Sequence, residues 1–362
     1  MTASLQIKKD RPNYYVVLAF KDKLTGKNKT KWVSTDVPTK GNNKRLANEK
    51  LREVLDEYEN ELIQVDVGKS ILFTTFIKEW LENHRQSIEA VTYDTYRAII
   101  YNQIIPFYEP KKLKLRDIMP LHIQQYINFK LETASPNTVI KHLWNLSKCF
   151  DSAIKQNLIT FNAVKGIEMP KKIKYTGAKY YNEKQIHHLL EAIKGDVLEN
   201  VIKMALFYGF RRSEIIGLKW NAVDLENNVL TIKHTAVQMG TKIYKSDSTK
   251  TDSSYRVMPI PEIIREIFVE LKRQQETNRL LQPNDYVDEG YVFTHADGRI
   301  ITPNYVTNHF KLLIRRSGLE VIRFHDLRHS SASYLLYLGF DMKSIQAWLG
   351  HGTIGTTMNI YE

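Results

Sequence analysis

Apolar positions recur along this chain in three regimes, each predicting a different architecture. Residues 13–22 are rich in β-branched and aromatic side chains, 24–27 read as a turn, and 29–37 repeat the extended pattern. Together with residues 5–9 they predict a small three-stranded sheet. From residue 47 to 65 the spacing changes to three and four, through Leu51, Val54, Leu55, Tyr58 and Leu62, which predicts a helix backing that sheet. Residues 65–70 are expected to be a linker. The next hundred residues read as nearly all helix, over 73–84, 92–107, 121–131 and 137–156, with breaks at Pro106, Pro110, Pro120 and Ser135-Pro136. They predict a helical unit with its own core, in which Cys149 is a small buried residue. From about residue 180 the order is helix (183–192), helix (198–207), helix (213–220), strands (229–234 and 255–260), then three or four further helices from Pro261. The fold class is therefore mainly α and multidomain with small β-sheets: a three-stranded sheet plus helix, a helical domain and a mixed α/β domain. The expected boundaries are 1–66, 70–165, a linker at 166–179, and 180–362.

Charge sharpens this picture. Lys and Arg number 52 against 40 Asp and Glu, a formal +12, and residues 1–45 alone carry eleven bases against three acids, or +8. Charge this concentrated on a β ribbon points to a polyanionic partner and to a β element placed in a DNA groove, a merely solvated sheet being the alternative. Lys8, Lys9, Arg11, Lys21, Lys27, Lys29 and Lys31 are the candidate contacts. The stretch 165–179 holds five lysines against Glu168, and Lys171, Lys172 and Lys174 are read as lying along phosphates, with a solvated tether as the alternative. The content of 43% hydrophobic residues and only 16 Gly and 11 Pro excludes collagen-like, low-complexity and disordered classes. One cysteine excludes an intramolecular disulfide and a Cys-based zinc site, and the absence of a signal-like or 18-residue apolar run predicts a soluble, cytoplasmic protein without a membrane partner.

Four patterns that could carry chemistry lie in the third segment. Gly209-Phe-Arg211-Arg212-Ser-Glu214 sits between two predicted helices, and the three-residue spacing of Arg211 and Glu214 lets the carboxylate hold the guanidinium, unless the two form an ordinary surface ion pair. Arg212 is a further DNA-contact candidate. Lys250 falls between two predicted strands, as an ammonium at a hairpin tip. His325-Asp-Leu-Arg328-His329 opens a helix whose N-terminus favours an anion. It is also close to the HExxH metal motif, but a third ligand is not evident. Trp348-Leu-Gly-His351 is followed ten residues later by Tyr361, Trp348 being read as packing.

Taken together, Arg211, Lys250, His325, Arg328, His351 and Tyr361 make a set of cationic or hydrogen-bonding groups plus a phenol, suited to attack on a phosphodiester without a metal or cofactor. Two arginines can grip the non-bridging oxygens bidentately. Attack by tyrosine yields a covalent phosphotyrosine that stores the energy of the broken bond for religation without ATP. With a reference pKa of about 10, the phenol needs a proton acceptor. Residue types favour His325 for this, with His351 donating to a non-bridging oxygen and Lys250 protonating the 5′ leaving oxygen.

On these residues the sequence resembles the tyrosine recombinases, specifically the integrases of phages and conjugative transposons of Gram-positive bacteria. The matching motifs are GFRRSE (Arg211, Glu214), STKTDSSYR (Lys250), FHDLRHSSAS (His325, Arg328) and WLGHGTIGTTMNIY (His351, Tyr361). The resemblance implies an arm-type DNA-binding domain at residues 1–66, a core-binding, SAM-like domain at 70–165 and a catalytic domain beyond. It also implies two staggered strand exchanges through a Holliday junction, cleavage by way of a 3′-phosphotyrosine with Tyr361 as nucleophile, and Glu214 in support. Implied partners are double-stranded DNA with core-type and arm-type attachment sites and a homotetramer on that DNA. An excisionase and a DNA-bending host factor are accessory possibilities. A chromosome-dimer-resolving or inversion recombinase of the same family is the nearest alternative, and a catalytically idle DNA-binding relic the next. One departure from the family pattern is that relatives usually continue past the nucleophile, often with a histidine two residues on and a tail that packs on a neighbouring subunit. Here Tyr361-Glu362 ends the sequence, a difference that bears on tetramer assembly and on the regulation of Tyr361.

Overall fold

A computed structural model describes residues 2–9, 11–21, 28–173, 179–247 and 255–350. The chain divides into two compact units, Met1–Ile173 and Lys174–Glu362.

The first unit opens with an antiparallel sheet of β1 (Thr2–Ile7), β2 (Asn13–Lys21) and β3 (Asn28–Pro38), in sequence order. Val16 and Leu18 of β2 are fully buried. Helix α1 (Lys44–Ser70) follows, and Lys31 of β3 reaches it through a hydrogen bond to Tyr58. The expected linker at 65–70 is therefore helical backbone. The chain turns extended only at Ile71, where Leu115 N–H donates to Ile71 O and Phe73 N–H to Leu113 O.

Helix α2 (Phe73–His84) buries Phe73, Phe76, Ile77, Trp80 and Leu81, the stripe its spacing predicts. The expected helix over 92–107 is realised as α3 (Ala90–Ile99), a π-helical turn (Ile100–Ile104) and α4 (Ile105–Tyr108). Pro106 accounts for the irregularity, since it lacks the N–H that would continue the regular ladder. Helices α5 (Pro120–Leu131) and α6 (Pro136–Lys155) both begin on proline, and Ser135 caps α6 by accepting from Thr138 N–H. Cys149 is buried in this core between α6 and its neighbours, and burial pushes its thiol pKa up. Further on, Ile173 is tied back to the first turn of α6, because the Asn137 side chain bonds both its N–H and its carbonyl.

The second unit begins with α7 (Glu183–Ala192), capped by reciprocal Asn182 and Gln185 bonds, followed by α8 (Glu199–Tyr208) and α9 (Arg212–Gly217). α9 ends on Gly217, short of the expected residue 220, and a Cβ at this position would stand 2.5 Å from Thr235 Cα, so only glycine fits. Strands β4 (Val223–Asp224), β5 (Val229–Ile232) and β8 (Arg256–Pro259) form one antiparallel sheet, in the order β4-β5-β8. A separate hairpin pairs β6 (Thr235–Met239) with β7 (Lys242–Ser246). Sequence periodicity did not mark this hairpin, although its two-residue turn begins at Gly240 with φ +58°, the conformation such a tight connection requires. Helices α10 (Glu262–Leu281), α11 (Pro303–Ser317), α12 (Asp326–Tyr337) and α13 (Met342–Leu349) complete the unit, with α12 packed on α8. Among the described residues, no helix is long and apolar enough to cross a membrane.

Candidate active site

The site grows from the break between α8 and α9. Gly209 terminates α8 in the left-handed region (φ +63°), and a Cβ there would fall 2.2 Å from Leu349 Cδ2 and 3.6 Å from Arg328 Cγ. This glycine answers both a backbone and a space requirement. Gly209→Ala is expected to lower unfolding free energy by about 2–4 kcal/mol, read from denaturant melts of the intact chain. An unchanged midpoint would show that Leu349 gives way freely.

Two residues on, Arg211 is the N-cap of α9 and Glu214 is its N3 residue. Arg211 N–H donates to Glu214 Oε2 (2.9 Å) and Arg211 Nη1 to Oε1 (2.6 Å). Glu214 is 2% exposed while Arg211 keeps 34% of its side chain open, so the carboxylate is the fixed partner and the guanidinium the accessible one. Burial alone would raise the Glu214 carboxyl, but Arg256 and then Arg211 more than offset it and hold the pKa below the usual carboxylate range.

Arg328, on the first turn of α12, is among the most buried side chains of the protein at 1% exposure. Its Nη1 donates to Gly209 O and its Nη2 to Leu349 O, both at 2.6 Å. Arg211 Nη2 takes the next carbonyl, Gly350 O, at 3.1 Å. The two guanidinium groups thus meet at consecutive carbonyls where α13 ends, the electronegative pole of that helix. Burial first, then the like charge of Arg211, pulls the Arg328 pKa down to about 9, which leaves it cationic at neutral pH.

His325 caps α12 with its ring edge-on to His329, centroids 5.6 Å apart. Although His325 is exposed to solvent, desolvation by the atoms crowded around it, followed by the charges of His329 and Arg328, lowers its pKa to about 4. The direction follows from the surrounding cations as well as from desolvation, and it makes His325 a neutral ring at pH 7, able to accept a proton. Asp326 beside it is buried and paired with Arg323. Among the described residues, no three His, Cys, Asp or Glu side chains converge as a metal site would require.

Of the six residues expected to carry chemistry, the structure brings together Arg211, His325 and Arg328. Lys250, His351 and Tyr361 lie outside the described residues. The two strands expected on either side of Lys250 do pair, β5 with β8, and what the expectation lacked is the β6–β7 hairpin inserted between them. Trp348 packs as expected, stacked on Tyr208 at 5.7 Å. Arg212, the further DNA-contact candidate, donates to Pro303 O (3.1 Å) and to Thr307 Oγ1, tying α9 to α11. Lys8, Lys9 and Arg11 are exposed at the turn between β1 and β2, closed by Arg11 N–H donating to Lys8 O. Lys31 lies toward α1 with its ammonium 4.5 Å from the Tyr58 ring centre. Lys171 and Lys172 are exposed, Lys21 and Lys29 are described only as backbone positions of β2 and β3, and Lys27 and Lys174 lie outside the described residues. Arg256 is the residue that sequence reasoning left without a role. It ends the STKTDSSYR motif, yet its partner Glu214 is 42 residues away.

Comparison with known proteins settles the family. The profile of the phage integrase family matches residues 179–362, half of the chain and all of the site just described. The chain belongs to the phage integrase family. An N-terminal SAM-like domain of phage integrases matches residues 72–131 as well. The chain is 28% identical to a XerC-like tyrosine recombinase of Caldanaerobacter subterraneus subsp. tengcongensis, over 89% of this chain and 86% of that one. It is 25% identical to the ICEBs1 integrase of Bacillus subtilis, over 81% and 79%. In fold it is similar to the Tn1549 transposon integrase in complex with a circular intermediate DNA (TM-score 0.66, 19% identity, 81% of this chain and 95% of that one). It is also similar to a lambda integrase from a tetramer bound to a Holliday junction (TM-score 0.65, 16% identity, 99% and 94%). This phage-integrase-family chain is accordingly a tyrosine recombinase, a site-specific enzyme that breaks and rejoins DNA.

Proposed function

We propose that this recombinase is the integrase of a mobile element and that Arg211 and Arg328 grip the scissile phosphate while Tyr361 attacks it. The observation that carries the reading is the pair of guanidinium groups held at consecutive carbonyls, Arg328 from beneath and Arg211 open to solvent. Charge accumulating on the non-bridging oxygens is stabilised by donors already in place. His325, neutral at pH 7, takes the Tyr361 proton, His351 donates to a non-bridging oxygen, and Lys250 protonates the leaving 5′ oxygen. The phosphorus–oxygen bond to the 5′ side breaks as that to Tyr361 forms, and a 5′ hydroxyl of a second strand reverses the step.

Integration and excision of an element, rather than chromosome-dimer resolution, is supported by the basic N-terminal sheet ahead of the helical domain. We read residues 1–66 as contacting arm-type sites and 70–165 as contacting core-type sites, with 166–179, between the core-binding and catalytic domains, lying along the phosphates. The working assembly is a homotetramer on double-stranded DNA, assisted by an excisionase and a host DNA-bending factor. The XerC-like relative favours dimer resolution as the second reading, and two separable classes of DNA site would distinguish integration from it.

A DNA substrate nicked near the cleavage site, drawn from the flanks of the gene, tests the chemistry. A strand linked covalently to the protein in the presence of EDTA is expected on denaturing gels, and its absence despite tight binding would reject the proposal.

Two further results are expected. The triple change Lys8→Ala, Lys9→Ala, Arg11→Ala should weaken arm-site binding about equally across sequences and reduce the salt slope by roughly 2 to 3. An unaltered slope would remove this turn from the phosphate contacts. The second concerns pH. At subsaturating DNA, where the free enzyme's groups are read, adduct formation should hold its rate on acidification until the pH nears the His325 value of about 4. A fall centred at about 6.5, the ordinary imidazole value, would show that the ring is not held neutral.

A further inference from the structure

The roles just assigned leave one firmly held cation unused. Arg256 opens β8, in register opposite Ile232 of β5, and its side chain is 9% exposed. It donates from Nη2 to Glu214 Oε2 at 3.0 Å, with Nη1 3.5 Å from Oε1. The same two oxygens receive Arg211, Oε1 from Nη1 at 2.6 Å and Oε2 from the backbone N–H at 2.9 Å. Each carboxylate oxygen of Glu214 therefore faces one group from each arginine.

This double engagement matters because a glutamate held only from its own helix could still turn about its terminal torsion. A second planar fork, arriving from a different element, fixes the plane of the carboxylate. Arg256 is itself held by an aromatic stack: its guanidinium lies 5.1 Å from the Phe210 ring centre, and Phe210 stacks on Tyr208 at 4.6 Å with planes 4° apart. The order of restraint thus runs from the sheet and stack, through Arg256 and Glu214, to the solvent-open Arg211. Buried as it is, Arg256 is placed to act through the carboxylate rather than on DNA.

We infer that Arg256 is a positioning residue for strand cleavage, fixing the Glu214 carboxylate so that Arg211 presents its guanidinium to the scissile phosphate in one orientation. The inference rests on the reading that Arg211 grips that phosphate.

The test is a mutant cycle on the full chain, using single-turnover adduct formation on the nicked substrate. Arg256→Gln is expected to lower the rate at saturating DNA by about 10- to 100-fold, the scale of a small misplacement of a catalytic group. The DNA concentration giving half-maximal rate should move by less than about threefold, and the protein should remain folded at the assay temperature. In a Glu214→Gln background, already slowed to a similar extent, adding Arg256→Gln should change the rate by less than about threefold, because the group it acts through is gone. An equal loss in both backgrounds, or a loss confined to the half-saturation concentration, overturns the inference. Should Arg256→Gln fail to fold, Arg256→Lys replaces it in the same cycle, since a single ammonium keeps the charge without the fork, and the same pair of outcomes decides. Absence of adduct from the unaltered protein would count against the recombinase chemistry itself, whereas adduct formation indifferent to Arg256 would count only against this inference.

Discussion

Tyr361→Phe is expected to eliminate covalent protein–DNA adducts while leaving DNA affinity within about twofold of the unaltered protein. One oxygen is lost, but it is the atom proposed to bond phosphorus, and removing a nucleophile costs on the order of 10⁴-fold or more in enzymes that work through a covalent intermediate. Two other phenols in the second unit are poor substitutes. Tyr208 and Tyr181 are buried, and donate to Pro259 O and Glu320 O respectively. Burial raises both, with Tyr181 pushed up to about 12. Tyr255, 56% exposed and adjacent to Arg256, is the alternative to watch. Adducts persisting in Tyr361→Phe, with the DNA-linked peptide mapping to residue 255, would reassign the nucleophile.

Arg328→Ala should fail on two counts. In the chemistry, loss of one preorganised donor to the charged oxygens corresponds to roughly 10²- to 10³-fold in rate. In the fold, Gly209 O and Leu349 O lose their donor inside a packed region, and a large buried side chain disappears, together worth on the order of 3 kcal/mol or more. Arg328→Lys separates the two effects. A lysine retains the charge and can reach a carbonyl, so part of the stability returns, but it lacks the planar fork that spans two acceptors. A folded Arg328→Lys protein that cleaves within about tenfold of the original rate would remove Arg328 from direct work on the phosphate and leave it as an anchor for α13.

Much of this architecture was legible in one dimension. The boundaries of α2 follow from apolar spacing, those of α7 from spacing together with its Asn182–Gln185 cap, and the Arg211–Glu214 pair from a spacing of three at a helix start. His325 at the head of α12 belongs to the same class, since its place depends on a few neighbouring residues. Local rules were less reliable where a boundary depends on distant packing. Helix α1 runs through residues 65–70 to the point where Ile71 pairs with Leu115, and α9 ends on Gly217, where Thr235 of β6 leaves no room for a side chain.

The site is completed by contacts that have no signature in spacing. Arg256 and Glu214 are 42 residues apart, Arg328 and Gly209 are separated by 119, and the carbonyl of Leu349 enters only because α13 folds back onto α8 and α12. The sequence by itself determined the family motifs, the helices and the sign of the charge, because these depend on residue type and on interactions within a turn or two of chain. Which arginine is buried, which is open to a phosphate and which holds the carboxylate between them was decided by tertiary structure, because burial and hydrogen-bond partnership are properties of the packed elements and of no single segment.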